Sequence, residues 1–239
     1  MKQQKKIFMN YKYILLSIFI AISFTKAFAQ QSAEVSYKAY LDLEYRFDEF
    51  DETTELSKKV KKSLVKKNEI LKELTFKLRF NSNESYYSWN KQMKDETVSD
   101  FDFLMAIMTG GDGIYYRNNQ KKILLNVSKN ESEQLINMSI PYNKIKWKIT
   151  NETDTYLGYQ IIKAVSGKYH VAWFAPSIPV PFGPSEYGNL PGLILKYNYR
   201  SRWIVATKIK FFNNPIYIEM PSQGIHKTEE EVLSGYRNN

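Results

Sequence analysis

The sequence predicts a mainly β, single-domain protein: a curved antiparallel sheet of the meander type, with one basic amphipathic helix and a Pro/Gly-rich crossover segment. Three observations carry this. Apolar and polar residues alternate with period two along much of the chain, most clearly over 144–149 and also over 33–45, 74–80 and 193–199, as half-buried strands require. Sustained helical periodicity is confined to one lysine-rich stretch, 51–68. Five of the eight prolines and three of the ten glycines fall within 173–195, between two strand-like runs.

Taken in order, the chain opens with Lys2, Lys5, Lys6 and Lys12, then an uncharged, mainly apolar run from Tyr13 to Phe24, then Ala27-Phe28-Ala29 before Gln30. This is the pattern of a cleaved signal peptide over 1–29. The apolar run falls short of the roughly 20 residues a membrane span needs, so no transmembrane span is expected in the mature chain. Five of the 34 Lys+Arg and none of the 25 Asp+Glu lie in 1–29, leaving 29 basic against 25 acidic residues and a net charge of +4 instead of +9. That balance removes nucleic acid as an expected partner. The chain has no cysteine, which excludes disulfides, thiol chemistry and lipoprotein acylation. The expectation is an exported protein, periplasmic, secreted or surface-associated, with a β-rich domain over 30–220 and a tail over 221–239.

Residues 33–45 place Val35, Tyr37, Ala39, Leu41, Leu43 and Tyr45 on one parity, a long first strand. From Asp51 to about Asn68, Leu56, Val60 and Leu64 recur every four residues amid Lys58, Lys59, Lys61, Lys62, Lys66 and Lys67. Early acids suit the helix dipole. The lysines read as a solvated face across a sheet edge in preference to an anionic-surface contact. Leu74 to Phe80 and Glu84 to Trp89 read as a hairpin across Asn81-Ser82-Asn83. Residues 91–112 read as either a short helix or a flap. Tyr115-Tyr116, Ile123–Val127 and Gln134–Ile140 are short strands.

Lys144, Lys146 and Lys148 interleave with Ile145, Trp147 and Ile149, predicting a strand that turns at Asn151–Asp154 and returns over Leu157–Val165. Tyr169–Ala175, Leu193–Tyr199 and Trp203–Phe212 complete the meander, with a tight turn at Ser201-Arg202. Beyond Pro221, Thr228 and Glu231 have capping-box spacing for a short helix ending at Gly235.

Prolines 176, 179, 181 and 184 fix φ, force extended predecessors and remove four ladder donors. The chain must therefore leave the sheet as a stiff connection, bent at Gly183, Gly188 and Gly192 and pinned by Leu190, Leu193 and Ile194. The order Gly158-Tyr159, Ala172-Trp173-Phe174, Ile178-Pro179, Gly183-Pro184 and Gly188-Asn189-Leu190-Pro191-Gly192-Leu193-Ile194 resembles the signature of the GLPGLI family. Asn189 stands for that motif's first glycine, a substitution suited to a left-handed turn. The resemblance implies an exported Gram-negative envelope protein to which no activity is assigned.

Two roles follow for the segment: a rigid crossover between strand groups, or a preordered partner surface. The candidate binding residues are Pro179, Gly183, Pro184, Tyr187, Leu190, Pro191 and Gly192, with an envelope or outer-membrane protein as the expected partner. No catalytic residue, metal ligand or cofactor is expected. His170 reads as a strand residue at a rim, His226 lies in the tail, and no nucleophile, zinc or phosphate motif is present. The expected function is a non-enzymatic binding or scaffold module. The alternatives are a carrier of an apolar ligand and a carboxylate-dependent envelope hydrolase.

Overall fold

In the computed structural model the described residues are 32–47, 54–89, 110–111, 113–130 and 132–237. The signal peptide expected over 1–29 and nearly all of the 91–112 stretch lie outside them. The fold is one open, antiparallel-rich sheet of 12 strands. The strands are β1 (Ser32–Leu41), β2 (Phe76–Phe80), β3 (Glu84–Trp89), β4 (Ile114–Asn118), β5 (Ile123–Lys129), β6 (Leu135–Ser139), β7 (Lys148–Tyr156), β8 (Tyr159–Ser166), β9 (His170–Ala175), β10 (Leu193–Tyr199), β11 (Arg202–Phe212) and β12 (Ile225–Thr228). The helices are α1 (Leu43–Phe47), α2 (Glu55–Glu73) and α3 (Glu229–Arg237).

Spatially the strands run β12-β6-β5-β4-β3-β2-β1-β11-β10-β9-β8-β7. The first described strand, β1, lies in the middle; the chain then meanders outward from β2 to β6, jumps to the far edge, and meanders back from β7 to β11 beside β1. That jump dictates curvature. The chain from Ser139 to Lys148 spans at most about 32 Å, whereas ten strand spacings in a flat sheet cover about 48 Å. The sheet must curl until its two halves approach each other. The inner face then carries the core: Val35, Tyr37 and Ala39 from β1, Phe76, Leu78 and Phe80 from β2, Ala172 and Phe174 from β9, Leu195 and Tyr197 from β10. A smaller outer cluster of Tyr116, Leu125 and Ile218 forms where the chain after β11 crosses the back of the sheet on its way to β12.

The helix differs from expectation in extent and face. Thr54 caps it, accepting from Ser57 N at 3.1 Å, and it continues to Glu73. Ser57 and Leu71 are its buried residues, with Leu64 half-buried between them, while Leu56 is 72% exposed. The packed stripe therefore has a seven-residue spacing, and Leu56 and Val60 do not lead it. Asn68 locks α2 to β1 by accepting from Leu41 N at 2.9 Å and donating to Leu41 O at 3.2 Å. Lys38 Nζ reaches the Lys72 carbonyl at 2.6 Å, a cation at a helix C-terminus.

The predicted strand at 144–149 is corrected. Residues 140–147 form the connector between the two sheet halves, and β7 begins only at Lys148. Ile145 and Trp147 are half-buried because the connector packs on the proline segment, with Trp147 Nε1 donating to Gly188 O at 2.8 Å. The turn falls at Leu157-Gly158, whose φ values of 50° and 81° give the doubly positive geometry that suits a two-residue hairpin. The tight turn between β10 and β11 is Arg200-Ser201, one residue earlier than predicted, with Arg200 at φ 56°. Residues after Pro221 add β12, paired parallel to β6, which the alternation did not announce. The Thr228–Glu231 capping box forms as predicted: Glu231 N donates to Thr228 Oγ1 at 3.2 Å and Thr228 N to Glu231 Oε2 at 2.6 Å. Its helix runs on to Arg237.

Candidate functional site

Between β9 and β10 the proline segment leaves the ladder and turns inward, lying against the inner face of the curled sheet. Its apolar side chains Ile178, Val180, Phe182 and Leu190 are buried, and Phe182 meets Phe80 with ring centroids 5.9 Å apart. An irregular backbone inside a core must satisfy its donors. Prolines help by having none, and several of the remaining amides find carbonyls. Asn189 N donates to Pro181 O at 3.0 Å, Leu193 N to Ile178 O at 2.9 Å and Ile194 N to Phe182 O at 2.9 Å.

Of the seven residues expected to form a partner surface, Pro179 and Pro191 are exposed; Gly183, Pro184, Tyr187, Leu190 and Gly192 are buried. The buried glycines mark close backbone approaches. A Cβ on Gly192 would lie 2.3 Å from the Ala175 carbonyl oxygen, and one on Gly183 2.7 Å from that of Tyr187.

A buried arginine that the sequence reading passed over ties down the middle of the segment. Arg117, on the inward parity of β4, is 3% exposed. Its Nη1 donates to Asn189 Oδ1 at 2.9 Å, its Nη2 to Glu186 O at 2.7 Å, and its guanidinium lies 4.7 Å from the Tyr142 ring centroid. Burial lowers its pKa from the ordinary arginine value, yet arginine remains charged. Asn189, at φ 67°, also donates to Tyr142 O at 2.6 Å. Arg117, Asn189 and the 140–147 connector thus clamp residues 186–189 in place.

What the clamp positions is a cavity of about 290 Å³ at one end of the sheet. Antiparallel register sets its floor: Ser166 pairs with His170, His170 with Tyr199, and Tyr199 with Arg202, so the ends of β8 to β11 form one row. Glu186 and Tyr187 reach it from the proline segment, and Lys144 and Ile145 from the connector. The Tyr187 and Tyr197 rings stack 3.6 Å apart, and the His170 and Tyr199 rings lie 4.7 Å apart. Arg202 Nη2 donates to Tyr187 Oη at 2.7 Å, and His170 Nδ1 lies 2.7 Å from Tyr197 Oη. Lys144 pairs with Glu229 at the start of α3.

Burial, followed by the Glu186 charge, pushes the Tyr187 phenol up to about 12. Burial raises the Tyr197 phenol as well. Burial and the nearby Arg202 charge lower His170, favouring the neutral imidazole. For Arg202, burial acts downward and is outweighed by Tyr187, Tyr197 and Glu186, so its pKa is raised. The wall is therefore the Arg202 cation, the Glu229-paired Lys144, neutral hydrogen-bonding rings and the Glu186 carboxylate. Among the described residues no Asp or Glu side chain is fully buried, and none group with histidine as a metal site.

Of the cavity residues, the sequence reading singled out Tyr187 as a candidate and weighed His170 as a rim residue. It missed Arg202, read as part of a turn, and Tyr199. The available signal was geometric: strands flanking an inserted segment pair with each other, so the start of the first faces the end of the second.

A family described as a protein of unknown function (Porph_ging) matches residues 165–196, a short stretch covering β9, the proline segment and the start of β10. No curated protein matches the chain. Among solved structures, PNGF-II in two crystal forms, P21 and C2, matches with a TM-score of 0.54 and 17% identity. The match covers 85% of this chain and 32% of PNGF-II, so the chain spans about a third of that protein's length. The likeness is one of fold.

Proposed function

We propose that this chain is a non-enzymatic binding module of the cell envelope, exported by a cleaved signal peptide. In this reading the proline segment is the rigid scaffold that holds Glu186 and Tyr187 over a ligand cavity. The observation that carries it is the convergence of three separate chain regions on one small polar cavity: the segment, the 140–147 connector and the ends of β8 to β11. The Pro/Gly pattern supports membership in the GLPGLI family, and the same stretch carries the short match to a family of unknown function. Of the seven candidate residues, Pro179 and Pro191 are the two that an envelope protein partner can touch directly.

Among the alternatives, an apolar carrier requires an empty apolar curve, and Ile178, Val180, Phe182 and Leu190 occupy the inner face here. A hydrolase built on paired buried carboxylates has no such pair to point to among the described residues. The test of the binding reading is a ligand-observed NMR screen of small polar fragments against wild type and Tyr199→Ala. Fragments that bind wild type and are lost in the variant are expected. A screen in which every hit survives Tyr199→Ala refutes the cavity as the seat. For export, the full chain expressed in a Gram-negative host should yield a periplasmic protein beginning at Gln30; an uncleaved cytoplasmic product refutes it.

A further inference from the structure

Arg202 is a largely buried cation whose donors are incompletely matched by the protein. A guanidinium carries five N–H donors. Here Nη2 serves Tyr187 Oη, Nε is buried without an acceptor, and no carboxylate among the described residues forms an ion pair with it. Three tyrosine rings, those of Tyr187, Tyr197 and Tyr199, stand around it with centroids 5.9 Å from Cζ. The protein holds this guanidinium charged yet leaves part of its donor fork unused, and a charge-assisted hydrogen bond from such a donor to an anion is strong. Arg202 is among the residues that line the cavity, so space for an anion beside it already exists.

The other walls narrow the chemistry. Lys144 brings a second positive charge, but Glu229 already matches it, and Glu186 adds a negative one. One unmatched positive charge facing one carboxylate disfavours a dianion. The aromatic surfaces of His170, Tyr187 and Tyr199 suit a flat body. At about 290 Å³ the cavity has the volume of roughly ten waters, enough for a single-ring molecule.

We propose that the cavity binds a small monoanionic carboxylate with a flat, ring-like body, its carboxylate on Arg202 and its ring against the tyrosines. The assignment rests on the reading of the cavity as a ligand seat. The test uses benzoate and its neutral counterpart benzamide, with inorganic phosphate as the dianion-capable control, titrated by ligand-observed NMR against wild type and Arg202→Gln. Wild type should bind benzoate at least about tenfold more tightly than benzamide or phosphate, as a charge-assisted hydrogen bond implies. Arg202→Gln should abolish that preference. Equal binding of benzoate and benzamide overturns the assignment but leaves the cavity a ligand seat, as does a preference that survives in Arg202→Gln. Phosphate binding as tightly as benzoate overturns the carboxylate choice. No binding by benzoate, benzamide or any screened fragment overturns both readings. Should Arg202→Gln fail to fold, the wild-type comparison of the two isosteres decides on its own.

Discussion

Gly192 is where the packing of the proline segment can be tested most sharply. Its backbone runs against the end of β9, and an added Cβ would lie 2.3 Å from Ala175 O, 2.7 Å from Ala175 C and 2.9 Å from Phe174 Cδ2. Two of those three atoms are backbone, so no rotamer change relieves the clash. Ala175 O also accepts from Ile178 N at 3.1 Å, and Ile178 O from Leu193 N at 2.9 Å. Moving either strand end therefore strains the bonds that return the segment to β10. Overpacking of this kind costs about 1–3 kcal/mol. At roughly 2–4 °C per kcal/mol for a chain this size, Gly192→Ala should lower Tm by about 2–12 °C. The neighbouring Pro191 is exposed, and Pro191→Ala should cost only the lost restriction of the unfolded chain, about 0.4–1 kcal/mol. Urea unfolding of the two single variants beside wild type measures both. The reasoning fails if Gly192→Ala is as stable as wild type, or if Pro191→Ala is the costlier change.

At Asn189, φ 67°, both Asn189→Gly and Asn189→Ala lose the bonds to Arg117 and Tyr142. Only alanine adds left-handed strain, so it should be less stable by a further ~1–2 kcal/mol, read by chemical denaturation. Arg117→Met removes the donor for two acceptors in the clamp, the Glu186 carbonyl and Asn189 Oδ1. Leaving them unmatched should destabilise by about 1–3 kcal/mol, and a variant as stable as wild type would show that the clamp contributes nothing. His170 has a folded-state pKa below its ordinary 6.5, so the unfolded chain takes up the proton first. Its contribution is present above about pH 6.5 and is lost as pH falls through that value toward the lower folded pKa. Thermal unfolding at pH 8, 6 and 5 should fall less steeply for His170→Gln than for wild type.

Local patterning was legible where one strand face is buried and the other wet. The alternation of Val35, Tyr37, Ala39 and Leu41 matches β1, and that of Leu78 and Phe80 matches β2. The stiff departure from the ladder after β9 could be read from the prolines alone. Strand order could not, because β1 pairs with a strand that lies at the other end of the chain, Ser32 opposite Phe212. The 144–149 alternation misled because Ile145 and Trp147 are covered by the segment and not by a neighbouring strand. Four exposed residues with no periodic signal build β12. Arg117 and Arg202 escaped notice for a related reason. Arg202 reads as part of a turn and Arg117 as a polar residue just past a short strand, and only tertiary context shows that both lie in strands with carbonyls and phenols as partners.

Seating the first strand at the centre of the sheet sets the order of assembly. β2 can dock on one flank of β1 early, but the opposite flank stays bare until β11, at Arg202–Phe212, has been made. Loop closure over such a separation is entropically slow. A chain truncated before Arg202 would therefore present an unpaired hydrophobic ribbon at its middle, prone to capture by any other available edge.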